Sequence, residues 1–309
     1  ADPRMDALMT ADAPALPGSY AAVHAASLAD PERFWGEAAG AIDWVEGPGR
    51  AFDAEAGVYG RWFPEARLNA CHNLVDRHVA AGRGGQAAII HDSPATGTKR
   101  QITYAALQDE VATLAAVLAG LGVARGDRVI LYMPMVPEAL FGMLACARLG
   151  AIHSVVFGGF AANELATRIA DAAPKVVLAA SCGIEPSRTV AYKPLLDAAI
   201  AACPPKPDAC LILQRPQAPA EMVEGRDIDW SAAVARAREA GRRAGCVPVA
   251  ATDPLYILYT SGTTGRPKGC AISHPGFLQG IDGPLAIIGE RISASDSPST
   301  VLMLPLAHI

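Results

Sequence analysis

Hydroxyl side chains, glycines and one lysine are concentrated in a single short segment that follows an apolar run. The segment reads TSGTTGRPKG, and its candidate ligand-binding residues are Thr260, Ser261, Gly262, Thr263, Thr264, Gly265 and Lys268. Glycines let backbone N–H groups approach a ligand closely, and hydroxyls add further donors. The lysine contributes most, because a unit charge pair at about 4 Å is worth around 4 kcal/mol at an effective dielectric of 20. The composition predicts a segment that wraps anionic oxygens.

This segment differs from the Walker phosphate-binding loop. The pattern G-x-x-x-x-G-K-[ST] needs a glycine directly before its lysine, and Pro267 stands there instead. The alternative interpretation is a mobile surface turn. A run of this composition directly after the strand-like residues 255–259 favours the binding interpretation.

The elements that must position this segment alternate in type along the chain. Large apolar residues spaced by four and three predict a helix over 103–121, with Thr103 as its N-cap. Strands are predicted at 126–134, 152–157, 175–180, 209–214 and 255–259, and helices at 137–150, 162–173, 192–202 and 231–243. Alternation of this kind predicts an α/β fold of parallel strands with crossover helices. In such folds ligands bind outside the carboxyl ends of the strands.

Composition excludes several classes of protein. The net charge of −5 over 309 residues lacks the basic footprint of a nucleic-acid binder. The arginine-dense stretch 235–243 contains a glutamate and alanines, which favours a solvated helix face. The apolar stretch 114–124 is shorter than the roughly 18 residues of a membrane span. We therefore expect neither a nucleic-acid partner nor a membrane span.

The cysteines and the amino terminus indicate the cellular compartment. The seven cysteines include no C-x-x-C pair, so we expect reduced thiols, no metal site and a cytoplasmic protein. The first residues show no basic start followed by an apolar run, and 1–19 is predicted to be a disordered lead-in rather than a secretion signal.

The stretch DPLYILYTSGTTGRPKG resembles the signature loop of the adenylate-forming, or AMP-binding, superfamily, which includes acyl-CoA synthetases and luciferases. In that family the loop binds the pyrophosphate of ATP. The resemblance implies that Thr260 to Gly265 and Lys268 bind the phosphates of ATP. It also implies that Mg2+ arrives with the nucleotide.

Segments upstream resemble the short-chain branch, which contains acetyl- and propionyl-CoA synthetases. They include FWGEAAGAIDW, LNACHNLVDRHV, YMPMVPEALFGMLACARLGAIHSVVFGGF and ASCGIEPSRTVAYKPLLDAAI, the last being closest to propionyl-CoA synthetase. The resemblance implies that coenzyme A binds at Phe157, Gly158, Gly159, Glu185, Pro186, Ser187 and Arg188. The acetate enzymes carry a second arginine where this chain has Glu185, whereas the propionate type shows EPxR as here. Without the surrounding motif, Arg188 would be interpreted as half of a surface ion pair, and the two glycines as a tight turn.

Residues after Gly269 are similar to the long-chain acyl-CoA synthetase branch instead. There the LPLAH stretch would place His308 beside the acyl pocket, while the alternative is an ordinary loop histidine. The change of branch falls on the shared loop, so a hybrid gene is one interpretation.

The resemblance implies a division into an acetyl/propionyl-CoA-synthetase-type region at 20–78 and an incomplete AMP-binding large domain at 79–309. The family's later elements would lie beyond Ile309, so we expect an incomplete chain that is inactive alone. The implied reaction converts a short-chain carboxylate, propionate by preference, into its CoA thioester through an acyl-adenylate. Two alternatives stay open: a medium- or long-chain acyl-CoA synthetase, and a truncated, non-catalytic nucleotide- or CoA-binding protein.

Overall fold

The computed structural model describes residues 20–185, 187–260 and 268–273. The predicted lead-in and His308 lie outside these residues, as do Ser261 to Gly265 and Pro186.

The amino-terminal region consists of short elements. Its bounds are α1 Tyr20–Ala29, α2 Pro31–Ala38, β1 Phe52–Asp53, β2 Arg61–Trp62, β3 Arg67–Leu68, β4 Ala87–Ser93 and β5 Thr98–Thr103. Strands β1 and β2 form one antiparallel pair, and β4 and β5 form another. A helical segment at 70–83 contains two π-helical stretches, His72–Asp76 and Val79–Arg83. These short strands were not predicted from the sequence.

The rest of the chain follows the predicted alternation. Its elements are α3 Tyr104–Gly120, β6 Arg128–Met133, α4 Pro137–Leu149, β7 Ile152–Phe157, α5 Ala162–Ala172, β8 Val176–Ala180, β9 Cys182–Glu185, β10 Arg188–Ala191, α6 Tyr192–Ala202, β11 Ala209–Leu213, β12 Asp227–Asp229, α7 Trp230–Glu239, β13 Val249–Ala250, β14 Pro254–Thr260 and β15 Lys268–Ser273. The predicted α/β fold is confirmed.

Seven of the described strands form one sheet in the order β12-β11-β8-β6-β7-β14-β15. Every neighbouring pair is parallel except the last, in which β14 and β15 run antiparallel. The chain enters the sheet at β6, places β7 on one side of it and then β8 on the other. Reversals of this kind create the crevice at which α/β proteins bind ligands.

Helices cover both faces of the sheet. On one face, Leu114 and Leu118 of α3 pack in a core that includes Val129 and Leu131 of β6. On the other face, the buried side chains of α5 and α6 pack in a second core with Ile130 of β6. The alternation along β6 follows from the period of two in a strand, and burial on both faces explains why β6 reads as a continuous apolar run.

Helix ends agree with the predicted caps. The Thr103 hydroxyl accepts a hydrogen bond from the amide of Ala106 at 3.2 Å, and Gly150 ends α4 with a φ of +70°. Helix α7 ends at Glu239, whereas the sequence predicted an end at Arg243.

The arginine-dense stretch 235–243 is ion-paired as well as solvated. Arg238 lies 2.9 Å from Glu110 of α3, and Arg243 lies 2.6 Å from Asp109 of the same helix. Two of the four arginines in this stretch are therefore paired with carboxylates of α3.

A buried ion pair joins the amino-terminal region to α4. Arg148 donates two hydrogen bonds to the Asp76 carboxylate, at 2.7 and 3.0 Å, and its Nε donates to the carbonyl of Ala244 at 2.7 Å. Nearby, the Asn69 amide donates to the carbonyls of Ala147 and Val247, each at 2.9 Å. These contacts fasten helix 70–83 to both the sheet layer and the segment before β13.

Candidate functional site

The two predicted binding segments begin side by side at one edge of the sheet. Tyr256 of β14 pairs in parallel with His153 of β7. Phe157 and Thr260 each lie four residues further along their strands. The turn that starts at Phe157 and the segment that starts at Thr260 therefore leave neighbouring strands at the carboxyl edge, where the fold places ligands.

Gly159 is exposed in the turn and has no side chain to shield its backbone. It has a φ of +108°, in the region that favours glycine, and a Cβ placed on it would lie 3.9 Å from Glu185 Oε1 and 4.0 Å from a ring carbon of Phe157. A ligand can therefore approach the backbone here, as the resemblance implies for coenzyme A.

Gly158 has a different neighbour. A Cβ on Gly158 would lie 2.5 Å from the hydroxyl of Tyr192, and a Cβ on Gly183 would lie closer still. Both glycines thus make room for the Tyr192 ring at the start of α6. A contact of Gly158 with coenzyme A stays a prediction.

The antiparallel pair of β9 and β10 brings the other predicted coenzyme A residues to the turn. Arg188 pairs with Glu185 across the hairpin, and Arg188 Nε donates to Glu185 Oε2 at 2.8 Å. This is the surface ion pair that the sequence offered as the alternative. Arg188 is nevertheless 69% exposed, and its terminal nitrogens have no hydrogen-bond partner among the residues that the structure describes. Those exposed nitrogens can accept a phosphate as a partner, and binding of coenzyme A by Arg188 stays a prediction.

Two tyrosines support the turn from inside the protein. The Tyr132 hydroxyl donates to the carbonyl of Phe160 at 3.0 Å, and the rings of Tyr132 and Tyr192 lie 5.0 Å apart. Burial raises the pKa of each phenol to about 12. Both stay neutral near pH 7, so the Tyr132 hydroxyl is a fixed donor rather than an acid or base.

Of the segment from Thr260 to Lys268 that is predicted to bind phosphate, called the phosphate segment below, the structure describes the two ends. Thr260 and Lys268 are paired residues of β14 and β15, so the strands bring the two ends of the segment together. The residues between them lie outside the described chain. Their binding of ATP phosphates stays a prediction, and so does the acyl-pocket position of His308.

One cluster in the described chain has the donor types of a metal site. The ligand atoms of Cys71, Asp76 and Cys246 lie within 4.8 Å of one another. Arg148 already occupies the Asp76 carboxylate, and sulfur is a poor ligand for Mg2+, which prefers oxygen. The cluster also lies near the amino end of β7, opposite the predicted binding edge. It does not fit the magnesium that accompanies ATP.

No helix in the described part of the chain combines the length and apolar content needed to cross a bilayer.

Sequence reasoning missed the residues that support the two segments. They are Tyr132, Arg168, Asp171, Tyr192 and Tyr259. A local signal existed only for Arg168 and Asp171, which stand three apart on one helix face. The partners of the others are remote in sequence.

Comparison with known proteins decides the family. The model of the AMP-binding enzyme family matches residues 76–309. The chain belongs to the AMP-binding enzyme family. The model of the acetyl-coenzyme A synthetase N-terminus matches residues 20–74. The match to the AMP-binding family continues past Gly269, so it covers both stretches whose branch resemblance differs. The predicted domain boundary at 78 stays a prediction.

Of three relatives of this AMP-binding chain, two carry names of the short-chain branch. It is 52% identical over 251 residues to an uncharacterized protein of Pseudomonas aeruginosa, covering 81% of this chain and 39% of that protein. It is 50% identical over 253 residues to the mitochondrial acyl-CoA synthetase short-chain family member 3 of Mus musculus, covering 82% of this chain and 36% of that protein. It is 43% identical over 254 residues to the propionate–CoA ligase of Escherichia coli, covering 81% of this chain and 40% of that protein. The chain thus spans well under half the length of these relatives, and the predicted short-chain resemblance is confirmed.

Proposed function

We propose that the protein to which this chain belongs is an AMP-forming acid–thiol ligase that converts a short-chain carboxylate, propionate by preference, into its coenzyme A thioester. The observation that carries the proposal is the placement of the two predicted binding segments on the neighbouring strands β7 and β14, at the carboxyl edge of the sheet. A ligase of this type must hold ATP and coenzyme A within reach of one acyl group.

The proposed chemistry has two steps. A carboxylate oxygen attacks the α-phosphorus of ATP, the bond to the bridging oxygen breaks, and pyrophosphate leaves. The sulfur of coenzyme A then attacks the acyl carbon, the thioester forms, and AMP and a proton are released. Activation is needed because an unmodified carboxylate would have to expel oxide.

The chain's residues contribute mainly position and charge to this reaction. In the proposed arrangement Lys268 and the hydroxyl groups of the glycine–threonine segment neutralise the departing pyrophosphate, which is the kind of electrostatic stabilisation that phosphoryl chemistry rewards. Arg188 and the open backbone at Gly159 hold coenzyme A. Magnesium bound to ATP would supply further positive charge at the phosphates.

The preference for propionate rests on two observations. Glu185 and Arg188 keep the EPxR pattern that the resemblance links to the propionate type, and one relative is named a propionate–CoA ligase. We also propose a cytoplasmic location, on the thiol composition alone.

The proposal can be tested by measuring pyrophosphate exchange. The assay uses the protein encoded by the entire reading frame that contains this chain. Exchange of labelled pyrophosphate into ATP should depend on a carboxylate and should be faster with propionate than with octanoate. A preference for octanoate would instead support a medium- or long-chain synthetase. Binding of ATP or coenzyme A without any carboxylate-dependent exchange would indicate a non-catalytic protein.

Loss of Arg188 is expected to weaken only the second step. In the Arg188→Ala variant the KM for coenzyme A should rise by about tenfold or more, because a charge-assisted phosphate contact is lost. Pyrophosphate exchange should keep its rate. Arg50→Ala is the matched control, since Arg50 forms a similar ion pair with Asp53 three residues on, at 3.4 Å. An unchanged KM for coenzyme A would remove Arg188 from the site.

A further inference from the structure

Helix α5 carries two charged residues that contact aromatic side chains next to the predicted binding segments. Arg168 and Asp171 are three residues apart, so they lie on the same side of the helix. The helix follows the glycine turn directly, since it begins at Ala162. Neither residue belongs to the motifs that carry the family resemblance.

Asp171 holds the strand that leads into the glycine–threonine segment. The Tyr259 hydroxyl donates to Asp171 Oδ2 at 2.6 Å, and Tyr259 is the residue before Thr260. Burial and this hydrogen bond raise the pKa of the phenol, so it remains a donor at neutral pH. The bond joins residues that are 88 positions apart in the chain.

Arg168 contacts one aromatic ring next to each predicted binding segment. Its guanidinium carbon lies 5.4 Å from the ring centroid of Tyr259 and 4.8 Å from that of Phe160. The side chain is only 9% exposed, and its NH1 donates to the carbonyl and carboxylate of Glu164 at 2.8 and 2.9 Å. Cation–π attraction strengthens when the cation is removed from water. Arg168 is therefore a fixed buried cation between two rings.

Phe160 closes the glycine turn, and it is held from the opposite side as well. Its carbonyl accepts the Tyr132 hydroxyl, and its ring lies 5.5 Å from that of Phe157. One helix face thus touches the residue that ends the turn and the residue that precedes the phosphate segment.

The geometry points to Arg168 and Asp171 as positioning residues that set the turn for coenzyme A and the entry of the phosphate segment relative to each other. This inference rests on the proposed function. Asp171 acts on the ATP side alone, through Tyr259. Arg168 acts on both sides.

Equilibrium binding separates the two roles in the protein encoded by the entire reading frame. Titration should show that Tyr259→Phe and Asp171→Ala each weaken ATP binding by about tenfold, the size expected for loss of one charge-assisted hydrogen bond. Coenzyme A binding should change less than about twofold in both variants. The double variant should match the single ones, because both remove the same bond. Asp171→Asn keeps an acceptor oxygen and should restore most of the ATP affinity.

Arg168→Met keeps the length of the side chain but removes the cation, and it should weaken ATP and coenzyme A binding together. Thr167→Ala, on the exposed side of the same helix, is the control and should change neither. Unchanged affinities in Arg168→Met, or additive losses in the double variant, would overturn the positioning role.

The result that would contradict the proposed function differs from the result that would contradict the positioning role. If the parent binds both nucleotides but shows no carboxylate-dependent exchange, the ligase assignment fails, while the binding constants still decide the roles of Arg168 and Asp171. A parent that binds neither ATP nor coenzyme A would overturn both.

Discussion

Replacement of Lys268 by alanine is expected to slow propionate-dependent pyrophosphate exchange by about a thousandfold in the protein encoded by the entire reading frame. A lost unit charge at about 4 Å from a phosphate corresponds to around 4 kcal/mol at an effective dielectric of 20, and each 1.36 kcal/mol is a factor of ten in rate. The position is suited to this role because Lys268 opens β15 opposite Thr260. Stopped reactions with labelled pyrophosphate measure the effect.

Two further variants make the Lys268 experiment specific. Lys268→Arg keeps the charge in a wider head group and should retain more activity than the alanine variant. Lys99→Ala removes a lysine that is 74% exposed on β5, and it should leave the rate unchanged. Activation at an undiminished rate in Lys268→Ala would contradict the phosphate assignment. A crystal soaked in ATP with the nucleotide bound elsewhere would do the same.

Loss of the buried Arg148 guanidinium is expected to cost about 3–5 kcal/mol of unfolding free energy. Arg148 is 7% exposed and Asp76 is 15% exposed, so the Arg148→Met variant leaves a carboxylate without its cation in a largely dry site. Burial opposes ionisation of Asp76, yet hydrogen bonds from Arg148 and Gln108 hold the pKa of its carboxyl below the ordinary value. Urea unfolding of the 309-residue chain, followed by circular dichroism, measures the loss.

A second change should recover part of that stability. Asp76→Leu combined with Arg148→Met replaces the ion pair by apolar groups, and the double variant should be more stable than Arg148→Met alone, because no buried charge is left unpaired. Arg33→Ala removes one partner of an exposed pair with Glu37 and should shift the midpoint little. A midpoint for Arg148→Met equal to that of the parent would contradict the account of the buried pair.

The local sequence pattern predicted most strands of the seven-stranded sheet and most of the helices that cover it. The leucine and valine stripe of α3 and the apolar runs of β6 and β8 produced elements close to the observed ones, because hydrophobic period and capping are short-range signals. The hairpin of β9 and β10 was not predicted, because its strands have four residues each and no clear alternation of apolar and polar side chains. The antiparallel direction of β15 was not predicted either, because strand direction depends on pairing rather than on composition.

The candidate site was also predicted only in part from the sequence. Motifs located the glycine turn and the phosphate segment in the chain, and the order of strands then brought them together. The role of Gly158 as space for Tyr192 has no local signature, because the two residues are separated by most of a βαβ unit. The hydrogen bond from Tyr259 to Asp171 depends likewise on β14 and α5 meeting in three dimensions.

The fastening of helix 70–83 has a consequence for how the chain can be divided. A shortened protein that began at residue 76, where the AMP-binding match starts, would keep Asp76 but lose Asn69 and its bonds to the Ala147 and Val247 carbonyls. The half-buried Val247 carbonyl would then lose this donor, and the Ala147 carbonyl would keep only its bond from the Gly150 amide, so the truncation is expected to be costly. We therefore expect the amino-terminal segment to unfold together with the sheet, and a truncation at residue 76 would separate groups that bond to each other in the fold.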